Sequence, residues 1–271
     1  MTDATKEDLQ KMPLLDHLIE LRTRLLYSVG ALVVAFIGAW FLADEIYRFL
    51  VKPLADILLE IGLEQGEARR MIFTNLTEVF FTYVKVAFFA AAFVTCPVFL
   101  GQIYRFVAPG LYKHEKMAFL PFLVASPILF FIGGALVYFA ILPLAWDFFI
   151  QFEAPGGADT LAIQLEPKVN EYLSLTMKLI FAFGLCFQLP VIMTLLARVG
   201  IASSEGMAKK RKYAIVATFV VAALLTPPDP ISQISLAVPI VLLYEISIYM
   251  AKLVERRRRQ RQEELDRELE S

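Results

Sequence analysis

The sequence predicts an all-α, polytopic membrane protein with six transmembrane helices and both termini cytoplasmic. Three observations carry that prediction. Hydrophobic residues make up 58% of the 271 residues and mean hydropathy is +0.61, against about 45–50% apolar content in an ordinary soluble domain. The charged residues collect between long uncharged stretches of about 20 residues, the helix length that crosses a hydrocarbon core. Those stretches do not alternate apolar and polar residues as the strands of a membrane barrel would.

In order along the chain, Met1–Lys11 is polar and expected to be disordered, and with no apolar h-region it predicts no cleavable signal peptide or transit peptide. Leu14, Leu15, Leu18, Leu21 and Leu25 recur at helical spacing with His17, Glu20, Arg22 and Arg24 between them. That is an amphipathic helix lying at the surface before the first span, Leu25–Ala43. In Asp44–Glu78, the apolar face of Ile46, Phe49, Leu50, Leu54, Ile57 and Leu58 is broken by Pro53, and Gly62 and Gly66 follow. Short interfacial helices capping one side are expected there. The second span is Val79–Leu100, with Lys85 snorkelling to the interface. The third is Met117–Leu142, where Gly133-Gly134 permits close helix approach. Pro143–Glu171 reads as an outer loop with a turn at Pro155-Gly156-Gly157. The fourth span, Tyr172–Ala197, holds Lys178, Gln188 and Pro190, and Arg198–Lys212 is a short basic loop. The fifth, Tyr213–Thr226, reaches only about 21 Å at 1.5 Å per residue before Pro227-Pro228-Asp229-Pro230 ends it. The sixth is Ile231–Met250, so that residues 1–252 form the membrane domain and 253–271 a charged cytoplasmic tail, helical or disordered.

Orientation follows from the lysines and arginines. Most of the 26 fall in four segments: the N-terminus, the loop holding Arg105, Lys113 and Lys116, the loop from Arg198 to Lys212, and the tail from Lys252. The positive-inside rule puts all four in the cytoplasm. Cys96 and Cys186 lie within spans and read as buried hydrophobes. No zinc-protease, nucleophile-elbow, phosphate-loop or Cys/His ligand pattern occurs, so neither catalysis nor a cofactor or metal is expected. The run Arg256–Arg261 reads as a topological anchor touching lipid headgroups, not nucleic acid.

A few polar residues need another explanation. Glu20 and Glu115 lie in basic cytoplasmic surroundings, Glu115 inside the turn-rich loop Phe106–Lys116. Two carboxylates on one face can clamp guanidinium groups, since arginine pairs with them in fixed geometry. Alternatively they form internal ion pairs, Glu20 with Arg24 and Glu115 with a nearby lysine. Gln188 and Gln233 either pack helices within the chain or hydrogen-bond a partner's transmembrane helix. Glu245 faces the cytoplasm or a cavity, and Asp229 reads as a turn residue.

Three motifs in order, His17-Leu18-Ile19-Glu20-Leu21-Arg22-x-Arg24-Leu25, Phe106-x-x-Pro109-Gly110-Leu111-Tyr112-x-x-Glu115 and Leu225-Thr226-Pro227-Pro228-Asp229, resemble the TatC family of the twin-arginine protein translocase. The resemblance runs from about Leu14 to Lys252. It implies a concave, glove-like bundle in the cytoplasmic membrane of a bacterium, with no enzymatic activity. It implies that twin-arginine signal peptides of folded cargo bind on the cytoplasmic face to Glu20 and Glu115, on a surface shaped by Arg22, Phe106, Pro109, Leu111 and Tyr112. Single-span TatA and TatB subunits are implied as partners, docking near Gln188, Asp229 and Gln233, with Pro53 at a family position in the outer cap. It further implies a homo-oligomer within the complex and export driven by the proton-motive force. Many relatives carry glutamate where this chain has Gln188, and an amide cannot relay a proton. The rival reading is a secondary transporter of a small solute, which predicts ionisable midplane sites and an internal repeat.

Overall fold

The computed structural model describes residues 4–65, 69–107, 116–154, 161–225 and 230–270. Pro109, Leu111, Tyr112, Glu115 and Asp229 lie outside them. The described residues are helical almost throughout, with only two isolated bridges, Ile72 to Lys168 and Ala154 to Ile163. The chain divides into two compact units, one of Met1–Tyr47 with Tyr83–Pro127, the other of Arg48–Thr82 with Ile128–Ser271.

Helix α1 is Ala4–Phe41, α2 is Ala43–Gln65 and α3 is Glu78–Val107. α1 is a single helix from the amphipathic stretch through the apolar one, and it starts at Ala4 inside the segment expected to be disordered. The reason is composition: Lys6, Glu7, Leu9, Gln10 and Lys11 are good helix formers that extend the helix behind them. Leu25, Leu26, Val33, Val34, Ile37 and Phe41 are all exposed on it. So large an apolar surface is stable against lipid and not against water.

α2 corrects the expectation of short helices broken at Pro53, because the helix runs through that proline. Proline offers no N–H to the carbonyl four residues back and crowds it. That carbonyl, Phe49 O, accepts instead from the Tyr138 hydroxyl at 2.7 Å, and the next one, Leu50 O, accepts from the Tyr172 hydroxyl at 2.9 Å. The Tyr138 hydroxyl supplies the donor that the proline removes, and the Tyr172 hydroxyl adds a bond to the neighbouring carbonyl.

Helix α4 (Lys116–Leu136) continues through a π-helical turn (Val137–Ile141) into α5 (Leu142–Ile150), where an outer loop from Pro143 was expected. In the π turn Leu142 N–H donates to Val137 O, five residues back. This shift of register lets Pro143, which has no N–H, sit in the first turn of α5 without breaking the rod.

The fourth span is two helices, α6 (Val169–Cys186) and α7 (Leu189–Val199). Pro190 has no N–H to donate back to Cys186, and the chain tightens before it, with Gln188 N–H donating three residues back to Leu185 O at 2.9 Å. α7 ends on Gly200 at φ +86°, with Gly200 N–H donating to Ala197 O and Ile201 N–H to Leu196 O. That left-handed closure favours glycine. The basic loop contains a short helix, α8 (Ser204–Lys209), whose N-cap Ser203 accepts from Gly206 N–H. α9 (Arg211–Leu225) and α10 (Pro230–Glu270) complete the chain, and the charged tail is part of α10.

Where α4 meets α6, a Cβ on Gly133 would lie 2.7 Å from Phe183 O, and one on Gly184 would lie 2.5 Å from the Phe130 ring. The expected close approach therefore occurs, and both helices contribute a glycine to it. Among the described residues, five stretches are long and apolar enough to cross a membrane: His17–Phe41, Glu78–Phe106, Pro121–Ile150, Val169–Val199 and Ser232–Gln260. At 15 residues, α9 spans about 22 Å, short of the roughly 30 Å core.

Candidate functional site

The residues singled out near the N-terminus come together within the first unit. On α1, Glu20 and Arg24 stand four residues apart on one face, glutamate first, the favourable order for a helical ion pair. Glu20 Oε1 accepts from Arg24 Nη2 at 2.9 Å. The second edge of that guanidinium reaches α3, where Arg24 Nη1 donates to Gln102 Oε1 at 3.3 Å. One turn further along α3, Phe106 stacks on His17, ring centroids 4.2 Å apart and 18° from parallel. Glu20 and Arg24 side chains are 31% and 27% exposed, and Arg22 is exposed on the other face. The ion pair foreseen for Glu20 therefore forms, while Oε2 has no partner among the described residues. The clamp partner Glu115 and the loop residues Pro109, Leu111 and Tyr112 fall outside those residues.

Gln102 and His17 were not singled out as part of this site. The signal for Gln102 was available: it is the one amide in the last turns of an apolar span, four residues before Phe106 and so on the same helix face.

The residues expected to meet a partner helix lie in the second unit. Gln188 is 5% exposed at the break between α6 and α7, and its Nε2 donates to Gly184 O at 3.4 Å. Gly184 O is the carbonyl that Gln188 N–H would have used in an unbroken helix, so the side chain fills the gap its own backbone leaves. A glutamate there would be an acceptor unless protonated. Gln233 Nε2 donates to Phe219 O at 3.1 Å and ties α10 to α9. Lys178 Nζ donates to Leu224 O at 2.8 Å, so this span-embedded lysine caps the end of α9, where helix carbonyls are otherwise orphaned. Glu245 forms a two-pronged ion pair with Arg211, 2.7 and 2.8 Å long.

One buried ionic contact had no forewarning. Arg69 and Glu153, 84 residues apart, pair through both terminal guanidinium nitrogens, Nη1 to Oε1 at 2.8 Å and Nη2 to Oε2 at 2.9 Å, with side chains 5% and 14% exposed. Glu153 Oε1 also accepts from Leu165 N–H at 2.7 Å. Pro53, expected in an outer cap, lies within α2.

The family signature described as "Sec-independent protein translocase protein (TatC)" matches residues 16–239. A Magnetococcus marinus protein of that name is 49% identical over 92% of this chain and 87% of its own length. The chain belongs to the TatC family. The Escherichia coli TatC is 42% identical over 95% of this chain and 94% of that one. Two crystal structures titled as the twin-arginine translocase receptor TatC, one in the detergent DDM, superpose with TM-scores of 0.72 and 0.74 at 36% and 35% identity. Each covers 99% of the solved chain and 88% or 87% of this one. Membership of the TatC family makes the chain a multi-pass membrane component of a protein translocase rather than an enzyme, and it retires the solute-transporter reading.

Proposed function

We propose that this chain is the signal-receptor subunit of a twin-arginine translocase in a bacterial inner membrane, with six spans, both termini cytoplasmic and α9 serving as the short fifth span. The observation that carries the reading is the match over nearly the whole length of the solved receptors, and the placement of Glu20 fits it. Glu20 and Glu115 engage the paired arginines of the signal, on a surface to which Arg22, Phe106, Pro109, Leu111 and Tyr112 contribute. TatA and TatB dock by their transmembrane helices near α9 and α10, around Asp229 and Gln233. Gln188 acts from the buried break behind them, and Pro53 belongs to the outer cap. The chain forms a homo-oligomer within that complex, and the proton-motive force drives export of folded cargo. Lipids facing the short α9 thin to meet it.

The test is binding of a twin-arginine signal peptide to the purified chain, with a twin-lysine peptide as control, repeated on Glu20→Ala and Glu115→Ala. Arginine preference that either substitution abolishes supports the receptor. Preference unchanged in both variants moves the reading surface elsewhere. Four leucines inserted into α9 that leave export intact would sink the thinning step.

A further inference from the structure

We infer that Arg24 and Gln102 are positioning residues that set the preference for arginine over lysine, by fixing the plane of the Glu20 carboxylate. The inference rests on the proposed role of Glu20 as a reader of the signal's arginines. It starts from three facts about one guanidinium. Arg24 Nη2 holds Glu20 Oε1 at 2.9 Å, Nη1 is held by Gln102 Oε1 at 3.3 Å, and Nε is buried with no partner among the described residues. A guanidinium gripped at two edges by groups on different helices cannot rotate freely, because its fork is planar and rigid. The carboxylate it holds inherits that constraint. Glu20 therefore presents Oε2 in one orientation, and its backbone is anchored in a regular helical turn where Ser28 Oγ bonds Arg24 O at 3.1 Å and Thr23 Oγ1 bonds Ile19 O at 2.9 Å.

An oriented carboxylate discriminates between the two basic side chains. The N–H groups of an incoming guanidinium point in fixed directions, so its bond is strong only when the acceptor is held in the matching plane. A lysine ammonium is a compact charge with three freely rotating donors and gains almost the same from a carboxylate in any orientation. A fixed Glu20 thus rewards arginine, and a free Glu20 rewards both alike. Arg24 also cancels much of the local negative charge, which lowers the purely electrostatic return that a lysine would collect.

Gln102→Leu removes the second anchor and leaves both charges in place. It is expected to weaken twin-arginine peptide binding about tenfold, the scale of one lost charge-assisted hydrogen bond, and to leave twin-lysine binding within about twofold of the parent. Gln102→Glu, which keeps an acceptor for Arg24, is expected to retain the preference. Arg24→Lys keeps the charge but replaces the planar fork with freely rotating donors that set no plane for Glu20, so it is expected to lose preference as Gln102→Leu does. A merely structural role would lower both affinities and the unfolding temperature in parallel. The inference is overturned if Gln102→Leu and Arg24→Lys leave the arginine-to-lysine ratio unchanged, or depress both peptides equally. Glu20→Ala in the same series separates the two ideas: if it leaves the ratio intact, the role of Glu20 as reader has failed, whereas a ratio lost only in Glu20→Ala means that Glu20 reads without being positioned.

Discussion

Replacing Glu153 by alanine is the perturbation whose cost can be worked most directly from the structure. The substitution removes both bonds to Arg69, at 2.8 and 2.9 Å, and the acceptor for Leu165 N–H at 2.7 Å. The Arg69 side chain is only 5% exposed, so its charge stays out of water without its carboxylate. Breaking a buried pair from one side costs about 3–5 kcal/mol. Glu153 is itself 14% exposed, so water reaches part of the site and the lower end, about 3 kcal/mol, is expected. Removing both charges is different. Arg69→Met with Glu153→Leu eliminates the desolvation of two ions together with their attraction, and such exchanges are close to neutral apart from about 1 kcal/mol for the Leu165 N–H left without its acceptor. Equilibrium unfolding in mixed micelles, followed by tryptophan fluorescence, measures Glu153→Ala, the singles Arg69→Met and Glu153→Leu, and their double variant, since Trp146 packs against Tyr172 in the same unit with ring centroids 5.2 Å apart. The cycle should return a coupling energy of at least about 2 kcal/mol. A single-variant cost below about 1 kcal/mol, the range of an exposed pair, would refute the reasoning. So would a double variant that equals the sum of the singles.

Other expectations follow from the same contacts. Tyr138→Phe and Tyr172→Phe should each cost about 1 kcal/mol in the same unfolding assay. The Tyr138→Phe cost should shrink when Pro53 is first replaced by alanine, because residue 53 then supplies the N–H that Phe49 O lacks. Gly133→Ala should cost about 1–3 kcal/mol, since the new methyl meets the Phe183 carbonyl, whereas Gly30→Ala, with nothing within 4 Å, should be neutral or stabilise by up to about 1 kcal/mol. The exposed pair Glu205–Lys209 gives a pH control. Its hydrogen bond and charge attraction lower the Glu205 pKa, so whatever stability it adds is present above the ordinary carboxylate pKa and lost as pH falls through the depressed one. Lys209→Ala should flatten that small acid-side slope in an unfolding titration, its small cost being present at neutral pH and absent at low pH.

What the sequence made legible follows a physical divide. Long uncharged stretches without alternation favour helices in lipid, because no water is present to satisfy the backbone, so the five long apolar stretches among the described residues were readable without coordinates. The Glu20–Arg24 pair was readable too, being a matter of spacing along one helix. Pro53 and Pro143 misled because a proline's local effect depends on distant donors and on register. The hydroxyls of Tyr138 and Tyr172, and the π turn before Leu142, are tertiary answers to a local question. The Arg69–Glu153 pairing, and the choice of Arg24 as the partner of Gln102, were illegible for the same reason: Gln102 stood out as an amide, but nothing in a one-dimensional pattern says which groups will meet across 84 or 78 positions.

α10 has a mechanical consequence. Beyond Pro239 its hydrogen-bonded column is continuous to Glu270, so those residues turn and tilt as one stiff rod. The rod is gripped along its side: Arg211 holds Glu245, the Tyr244 hydroxyl bonds Met207 O at 2.9 Å, and Ser204 N–H bonds Glu255 at 2.8 Å. Beyond these three contacts, the stretch past Arg258 extends about 18 Å at 1.5 Å per residue. It is a cantilever with its fulcrum at Glu255. A sideways load near the free end is multiplied by that arm before it reaches the fulcrum, and the Ser204 contact is the first to feel it.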